Sequence, residues 1–264
     1  MPIYKKAFEV SLGIKDPWHI KNIVLNSQLN KLDVFIDFER GSKYSCPICG
    51  KPGCPAYDTR ERDWHHVNFF QNETYLHCRV PRVECIDCGI HVIQVPWARE
   101  QSSLTLEMEA MILKLAEKMP VLKASELVGE YDTKLWRVIH HYVDEARAKE
   151  DFSDVSKVGV DETSRKKGHN YITIVADLDS SKVLFVCEGK DSSTITKFSK
   201  DLQNHNGDPS NIQHACCDMS PSFISGISEQ FPNAMITFDK FHVMKIMNEG
   251  VDEVRKQETK KKKN

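Results

Sequence analysis

Lys157-Val158-Gly159-Val160-Asp161-Glu162-Thr163 reads as a β-strand that ends in acids, and its place in the order of elements decides the fold. Tyr171 to Asp177 reads as a second strand and Lys182 to Cys187 as a third, with Asp179-Ser180-Ser181 as the hairpin turn between them. Asp191 to Asn206 reads as a helix capped at Asp191 or Ser192, with Ile195, Phe198 and Leu202 facing inward. Ile212 to Cys217 is a fourth strand, followed at once by Asp218. Ser220-Pro221 opens a helix to about Gln230, since proline is tolerated in the first helical turn. Ala234 to Phe238 is a fifth strand ending in Asp239, and a last helix runs from about Lys240 to Glu258. The order β-β-β-α-β-α-β-α, three antiparallel strands followed by parallel additions, is that of a ribonuclease H-like α/β domain.

In such a sheet the first and fourth strands are neighbours, so Asp161 and Asp218 converge. Carboxylates brought together repel one another and call for a cation, with Mg²⁺ the usual partner. A divalent pair can activate a water or a 3′-hydroxyl and stabilise the leaving oxygen in phosphodiester transfer. The plain alternative is that both aspartates merely terminate strands as turn residues.

Upstream, residues 102–150 read as helical. Ser102 or Ser103 can cap a helix beginning near Thr105, with Leu106, Met111, Leu113 and Leu115 as its apolar positions. Pro120 marks a break, Val121 to Val128 is a short helix with Leu122, Ala124 and Leu127 inward, and Gly129 to Asp132 is a turn. A third helix follows, with Leu135, Trp136, Val138, Ile139 and Tyr142–Val143 at helical spacing. Short helix, glycine turn and longer helix form a helix-turn-helix pattern, whose last helix enters the DNA major groove. Lys134, Arg137 and His141 are its candidate contact residues. A small bundle without DNA reads the same way.

Further upstream, Cys46-Pro-Ile-Cys49-Gly50 and Cys85-Ile-Asp-Cys88-Gly89 form two matched knuckles. Each turn aims two thiolates at one point, and two knuckles make the tetrahedral sulfur site that zinc accepts. The long separation between them suits a zinc ribbon joined by hairpins, with strand-like text from Glu73 to Val83. Cys54, His65, His66, His77 and His91 are rival ligands, and Cys78 reads as packed. Arg60, Arg62, Arg79 and Arg82 gather here with Trp64, His65 and His66, either as a phosphate-contacting, base-stacking surface or as a solvated face over a core tryptophan.

Composition sets the limits. The 264 residues carry 36 basic and 38 acidic side chains, a formal net charge of −2, which excludes a globally basic nucleic-acid binder and leaves local patches to meet phosphate. The apolar runs fall far short of the roughly 18 residues that a membrane span needs. No basic segment followed by an apolar one opens the chain, so no secretory signal and no membrane partner are expected. The cysteine count of nine is odd, which favours reduced thiols or metal ligands over a disulfide framework.

The chain resembles the DDE transposases of bacterial insertion sequences, in the ISL group that bears an N-terminal zinc ribbon. The matching text is Cys46-Pro-Ile-Cys49-Gly, Arg82-Val-Glu-Cys85-Ile-Asp-Cys88-Gly, Val160-Asp161-Glu162-Thr163-Ser164 with Lys166-Lys167-Gly168-His169, Asp218-Met-Ser-Pro221, and Asp239-Lys-Phe-His242-Val. The resemblance implies an α+β multidomain chain: an N-terminal segment (1–39), a zinc ribbon (40–100), a helix-turn-helix (101–152) and an incomplete ribonuclease H-like domain (153–264). It implies recognition of terminal inverted repeats in double-stranded DNA by a homo-oligomer, and strand cleavage and joining with Mg²⁺ or Mn²⁺ beside a structural Zn²⁺. Asp161 and Asp218 correspond to the first two catalytic acids and metal ligands. Asp239 and His242 correspond to a supporting motif that contacts DNA or steadies the site, and Lys166, Lys167 and His169, just past Asp161, either meet phosphate or form a plain surface hairpin. Cys46, Cys49, Cys85 and Cys88 would hold zinc, and Arg60, Arg62, Arg82, Lys134 and Arg137 would meet DNA. A cytoplasmic, nucleoid-associated bacterial protein is expected. The family's third acid, a glutamate, lies on a helix well downstream of the Asp239 motif, and the chain stops at Asn264. A truncated transposase with impaired strand transfer is therefore expected, with a non-catalytic DNA-binding inhibitor or repressor of transposition as the alternative.

Overall fold

The structure, a computed structural model, describes residues 3–166 and 170–261. Two compact units meet in sequence between Val143 and Asp144.

The first unit opens with α1 (Ile3–Ser11). A six-stranded sheet follows, built from β1 (Trp18–Asn26), β2 (Lys31–Phe38), β3 (Lys43–Tyr44), β4 (Cys54–Phe69), β5 (Asn72–Cys85) and β6 (Gly89–Val92). Its order is β1-β2-β5-β4-β3, with β6 also on β5. The β4–β5 hairpin is the long ribbon hairpin, and β2 lies parallel beside β5 from Lys31↔Glu73 to Ile36↔Cys78. The residues before the ribbon are therefore part of its sheet, where the sequence suggested a separate N-terminal segment. The cause is burial: Leu76, Cys78 and Val80 alternate inward on β5 and need Leu32, Val34 and Ile36 of β2 beside them. Trp18, Trp64 and Trp97 join the same core, with Trp97 edge-on to both of the others.

Three helices complete this unit: α2 (Leu106–Lys118), α3 (Val121–Val128) and α4 (Asp132–Arg147), the last running across the boundary between units. The cap of α2 is Thr105, whose side chain accepts from the Met108 amide, so neither Ser102 nor Ser103 caps it. Gly129 closes α3 in the left-handed conformation at φ 74°, which a side chain rarely adopts. The buried row is Met108, Ile112, Ala124, Val128, Leu135 and Val138. Leu106, Leu122, Leu127 and Trp136, expected inward from their spacing, are exposed. Each helix has apolar residues on more than one face, and only the face toward its two neighbours is buried.

The second unit holds β7 (Lys157–Lys166), β8 (Asn170–Asp177), β9 (Lys182–Glu188), α5 (Ser192–Asn204), β10 (His214–Cys217), α6 (Pro221–Gln230), β11 (Met235–Phe238) and α7 (Lys240–Lys261). The sheet order is β11-β10-β7-β8-β9, antiparallel among β7, β8 and β9 and parallel from β7 to β10 to β11. This is the ribonuclease H-like order expected from the sequence. Helices α5 and α6 bury Ile195, Phe198, Leu202, Phe223 and Ile227 against Val158, Val160, Val175 and Ala215. Asp191 caps α5 by accepting from the Ser193 amide.

Candidate metal centres and nucleic-acid interface

The ribbon's two knuckles come together. Sγ atoms of Cys46, Cys49, Cys85 and Cys88 all lie within 4.8 Å of one another, the only group of three or more metal-ligating side chains so gathered among the described residues. Cys49 and Cys85 sulfurs are 3.7 Å apart. Tetrahedral zinc with Zn–S bonds of about 2.3 Å sets its sulfurs at about this spacing. Gly50 and Gly89, at φ 74° and 84°, give each knuckle its left-handed turn. Hydrogen bonds from the Asp87 and Cys88 amides hold the Cys85 thiol down to about 7, whereas hydrogen bonding with the Cys49 sulfur pushes Cys88 up to about 12. Four sulfurs so crowded are stabilised by a bound cation that takes them as thiolates. Cys54 and the rival histidines are outside this group. Cys78 is buried in the core, and burial pushes its thiol to about 12.

Two elements cooperate at the helix-turn-helix. The His65 amide donates to Ser103 O at 2.9 Å, and the Thr105 amide donates back to His65 O at 3.1 Å, so β4 and the start of α2 are laced together. The buried Glu109 carboxylate accepts from Arg99 Nε at 2.8 and 2.9 Å, from Ser102 Oγ at 2.6 Å and from Tyr142 Oη at 2.9 Å. It ties the segment after the ribbon to both α2 and α4.

The candidate DNA-contacting residues fall into different environments. Arg60 is exposed on β4. Arg62 donates to Ser102 O at 3.1 Å and lies 5.2 Å over the Trp64 ring, while Arg82 pairs with Asp58. Lys134, in the first turn of α4, is 2.6 Å from Glu130 Oε2. Arg137 is exposed on α4, on the same outer surface as Trp136 and His140, whose rings are 5.8 Å apart. Trp64 is 1% exposed and belongs to the core. The Lys166 backbone is in register with Asn170 at the β7–β8 end, and Lys167 and His169 lie outside the described residues.

In the second unit, β10 runs parallel to β7 with His214↔Lys157, Ala215↔Val158 and Cys216↔Gly159 paired. Two residues further along that register Asp218 is level with Asp161. On the other side Cys217↔Phe238 is paired, and the Asp239 amide donates to Cys217 O at 2.9 Å, so Asp239 is level with Asp218. Alternation along the strands sets all three aspartates on the face opposite Val160 and Cys217. Asp161 is exposed and the other two are half-buried. Asp218 Oδ1 accepts from the Ser220 amide at 2.9 Å, and Asp239 Oδ1 accepts from the Phe241 amide at 2.8 Å, so each also shapes the start of the following helix. His242 Nδ1 is 3.4 Å from Asp239 Oδ2. The sequence marked Asp239 only as a motif residue; its alignment with the other two is a product of strand pairing.

Comparisons with known proteins agree with these elements in chain order. The family model described as zinc-finger of transposase IS204/IS1001/IS1096/IS1165 matches residues 43–88. The helix-turn-helix domain of transposase family ISL3 matches 93–143, and the ISL3 transposase model matches 158–264. The chain is 28% identical over 219 residues to the transposase for insertion sequence element IS1557 of Mycobacterium tuberculosis (strain ATCC 25618 / H37Rv), covering 79% of this chain and 48% of that protein. It is 25% identical over 217 residues to the transposase for insertion sequence element IS1001 of Bordetella parapertussis, covering 80% of this chain and 52% of that protein. The chain thus spans about half the length of the curated relatives it matches. With all three of its characteristic segments matched in order, the chain belongs to the ISL3 family of insertion-sequence transposases.

Proposed function

We propose that the chain acts in DNA transposition, binding the terminal inverted repeats of its element and cleaving and joining DNA strands by metal-dependent phosphodiester transfer. The observation that carries this reading is the shared level of Asp161 and Asp218 on neighbouring parallel strands. Carboxylates at adjacent strand ends are the oxygen donors that Mg²⁺ or Mn²⁺ takes, with waters and substrate phosphate completing the shell. A divalent ion held there supplies Lewis-acid stabilisation of the phosphoryl oxygens and lowers the pKa of an attacking water or hydroxyl. The chain's own part is to fix the two carboxylates on a rigid sheet, so that little reorganisation accompanies reaction.

Zinc on the four cysteines holds the ribbon, and the exposed Arg137 of α4 meets the duplex. Two element ends call for two copies on DNA, in the cytoplasm with the nucleoid. Among the described residues no helix is long and apolar enough to cross a membrane. The test incubates purified chain with labelled duplexes carrying the ends of its element and Mg²⁺ or Mn²⁺. Nicking that is lost in both Asp161→Asn and Asp218→Asn while binding persists supports the proposal. Binding without nicking in either metal would replace it with the non-catalytic inhibitor or repressor reading.

A further inference from the structure

The β4–β5 hairpin closes through a two-residue turn, Phe70-Gln71, between the paired Phe69 and Asn72. Phe70 has φ 54° and is 84% exposed. The first central position of such a turn with positive φ is where glycine or asparagine is preferred, and a bulky aromatic there is an outlier. The ring is mostly exposed, so little burial offsets the strain of that backbone. Nevertheless the tip is built to hold it. The Phe70 ring rests edge-on against Phe69 at 4.6 Å, and Phe69 packs on Phe8 of α1 at 4.9 Å. The buried Thr74 hydroxyl accepts from the Phe69 amide at 2.9 Å, and the Asn72 side chain donates to Phe69 O at 3.2 Å.

The tip also has a definite neighbour. Glu73 Oε1 is 3.9 Å from where a Cβ on Gly129 would sit, in the turn that leads into α4. Tyr75 stacks on His65 at 4.8 Å, and His65 in turn holds Glu130 of that turn. Phe70 lies three residues beyond Glu73, so the tip lies about 10 Å along the hairpin from a residue that touches the turn leading into α4.

We propose that the β4–β5 tip is a wing of the helix-turn-helix, setting the Phe70 ring against a base step in the groove next to the one α4 occupies. The proposal rests on the DNA-binding reading above. Apolar wedges of this kind unstack base steps, and amides such as Asn68 and Gln71 read the base edges beside them. The tip's chemistry favours DNA over a second protein. Residues 68–72 carry no carboxylate to repel phosphate, and a single convex aromatic flanked by amides suits a groove better than a flat protein interface.

The experiment uses the full chain and a duplex it selects from a random-sequence pool, with 2-aminopurine placed in turn at each position. Wild type should raise the fluorescence at one step. Phe70→Asn puts a residue suited to the left-handed conformation at the tip, so its melting temperature should hold or rise. Its affinity should fall at least tenfold and its fluorescence rise should vanish. Arg137→Ala should weaken binding yet keep the rise at saturation. Unchanged affinity and fluorescence in Phe70→Asn, with Arg137→Ala weakened, would overturn the wing and leave the helix-turn-helix reading standing. A change in sedimentation of Phe70→Asn without loss of affinity would assign the tip to protein contact and overturn it as well. Failure of the wild-type chain to select any duplex would sink both.

Discussion

His65 Nδ1 on β4 donates to Glu130 Oε1 at 2.9 Å, joining the ribbon hairpin to the turn that starts α4. Glu130 also receives Lys134 from the first turn of α4. One carboxylate thereby sets the direction of the helix proposed to meet DNA, and Lys134 reaches DNA only by leaving it.

This junction makes stability depend on pH. Burial raises the Glu130 pKa, but hydrogen bonds from His65 and Lys134 outweigh it and hold the carboxyl below its ordinary value of 4.5. Its contribution is complete above that unfolded value and is lost as pH falls through the depressed folded one. Burial holds His66 below its ordinary 6.5, so its contribution is present above 6.5 and is lost on acidification. All four tryptophans lie in the first unit, so their fluorescence in urea titrations reports on it alone. Stability should fall in two steps between pH 8 and 3.5. His66→Gln should remove the upper step, and Glu130→Gln should shrink the lower, which Asp33 and Asp37 share because, despite burial, hydrogen bonds hold them too below the ordinary carboxylate value; a flat profile in wild type would refute the assignment.

Glu109 is fully buried and paired with Arg99. Glu109→Ala strands a guanidinium beside the core and deprives Ser102 and Tyr142 of their acceptor. The expected loss in the same titrations is about 3–5 kcal/mol. A loss under 1 kcal/mol would mean that the network is incidental.

The ribbon should bind about one zinc per chain, measured by plasma mass spectrometry. Cys46→Ser or Cys85→Ser should lose that zinc and lower the melting temperature, as should a strong chelator. Cys54→Ser, outside the four-sulfur group, should keep it. Zinc retained in Cys85→Ser but absent from Cys54→Ser would point to a different ligand set.

Gly226 of α6 is buried, and a Cβ there would lie 3.0 Å from Ile195 Cγ1 and 3.2 Å from Ser192 O. Gly226→Ala should therefore destabilise the second unit by about 1–3 kcal/mol despite its better helix propensity. Circular dichroism in urea would read this, and adding Ile195→Val should recover part of the loss. Stabilisation by Gly226→Ala alone would show that the helices separate at low cost.

Arg137 is exposed on α4. If it meets phosphate, Arg137→Ala should weaken binding to all duplexes alike and reduce the slope of log affinity against log salt by about one. Loss confined to one sequence would instead make it a base reader.

The sequence by itself determined the local elements. Alternation and end signals placed the strands of the second unit within a few residues, because β-branched runs bounded by Asp, Ser and Gly leave little freedom in where a strand stops. The paired Cys-x-x-Cys-Gly knuckles announced the sulfur site, since ligand type and turn residue are both local. What only the tertiary structure decided is non-local. Pairing of β2 with β5 depends on which apolar strand completes the buried face of Leu76 and Val80, and spacing along the chain carries no record of that choice. Leu106, Leu122 and Leu127 face outward on α2 and α3 despite their spacing, because each helix offers more apolar residues than its neighbours can cover. Trp64 became core because Trp97, from the segment after the ribbon, packs edge-on against it. Asp239 came level with Asp218 and Asp161 because parallel register sets a residue's neighbours across strands separated by a whole helix.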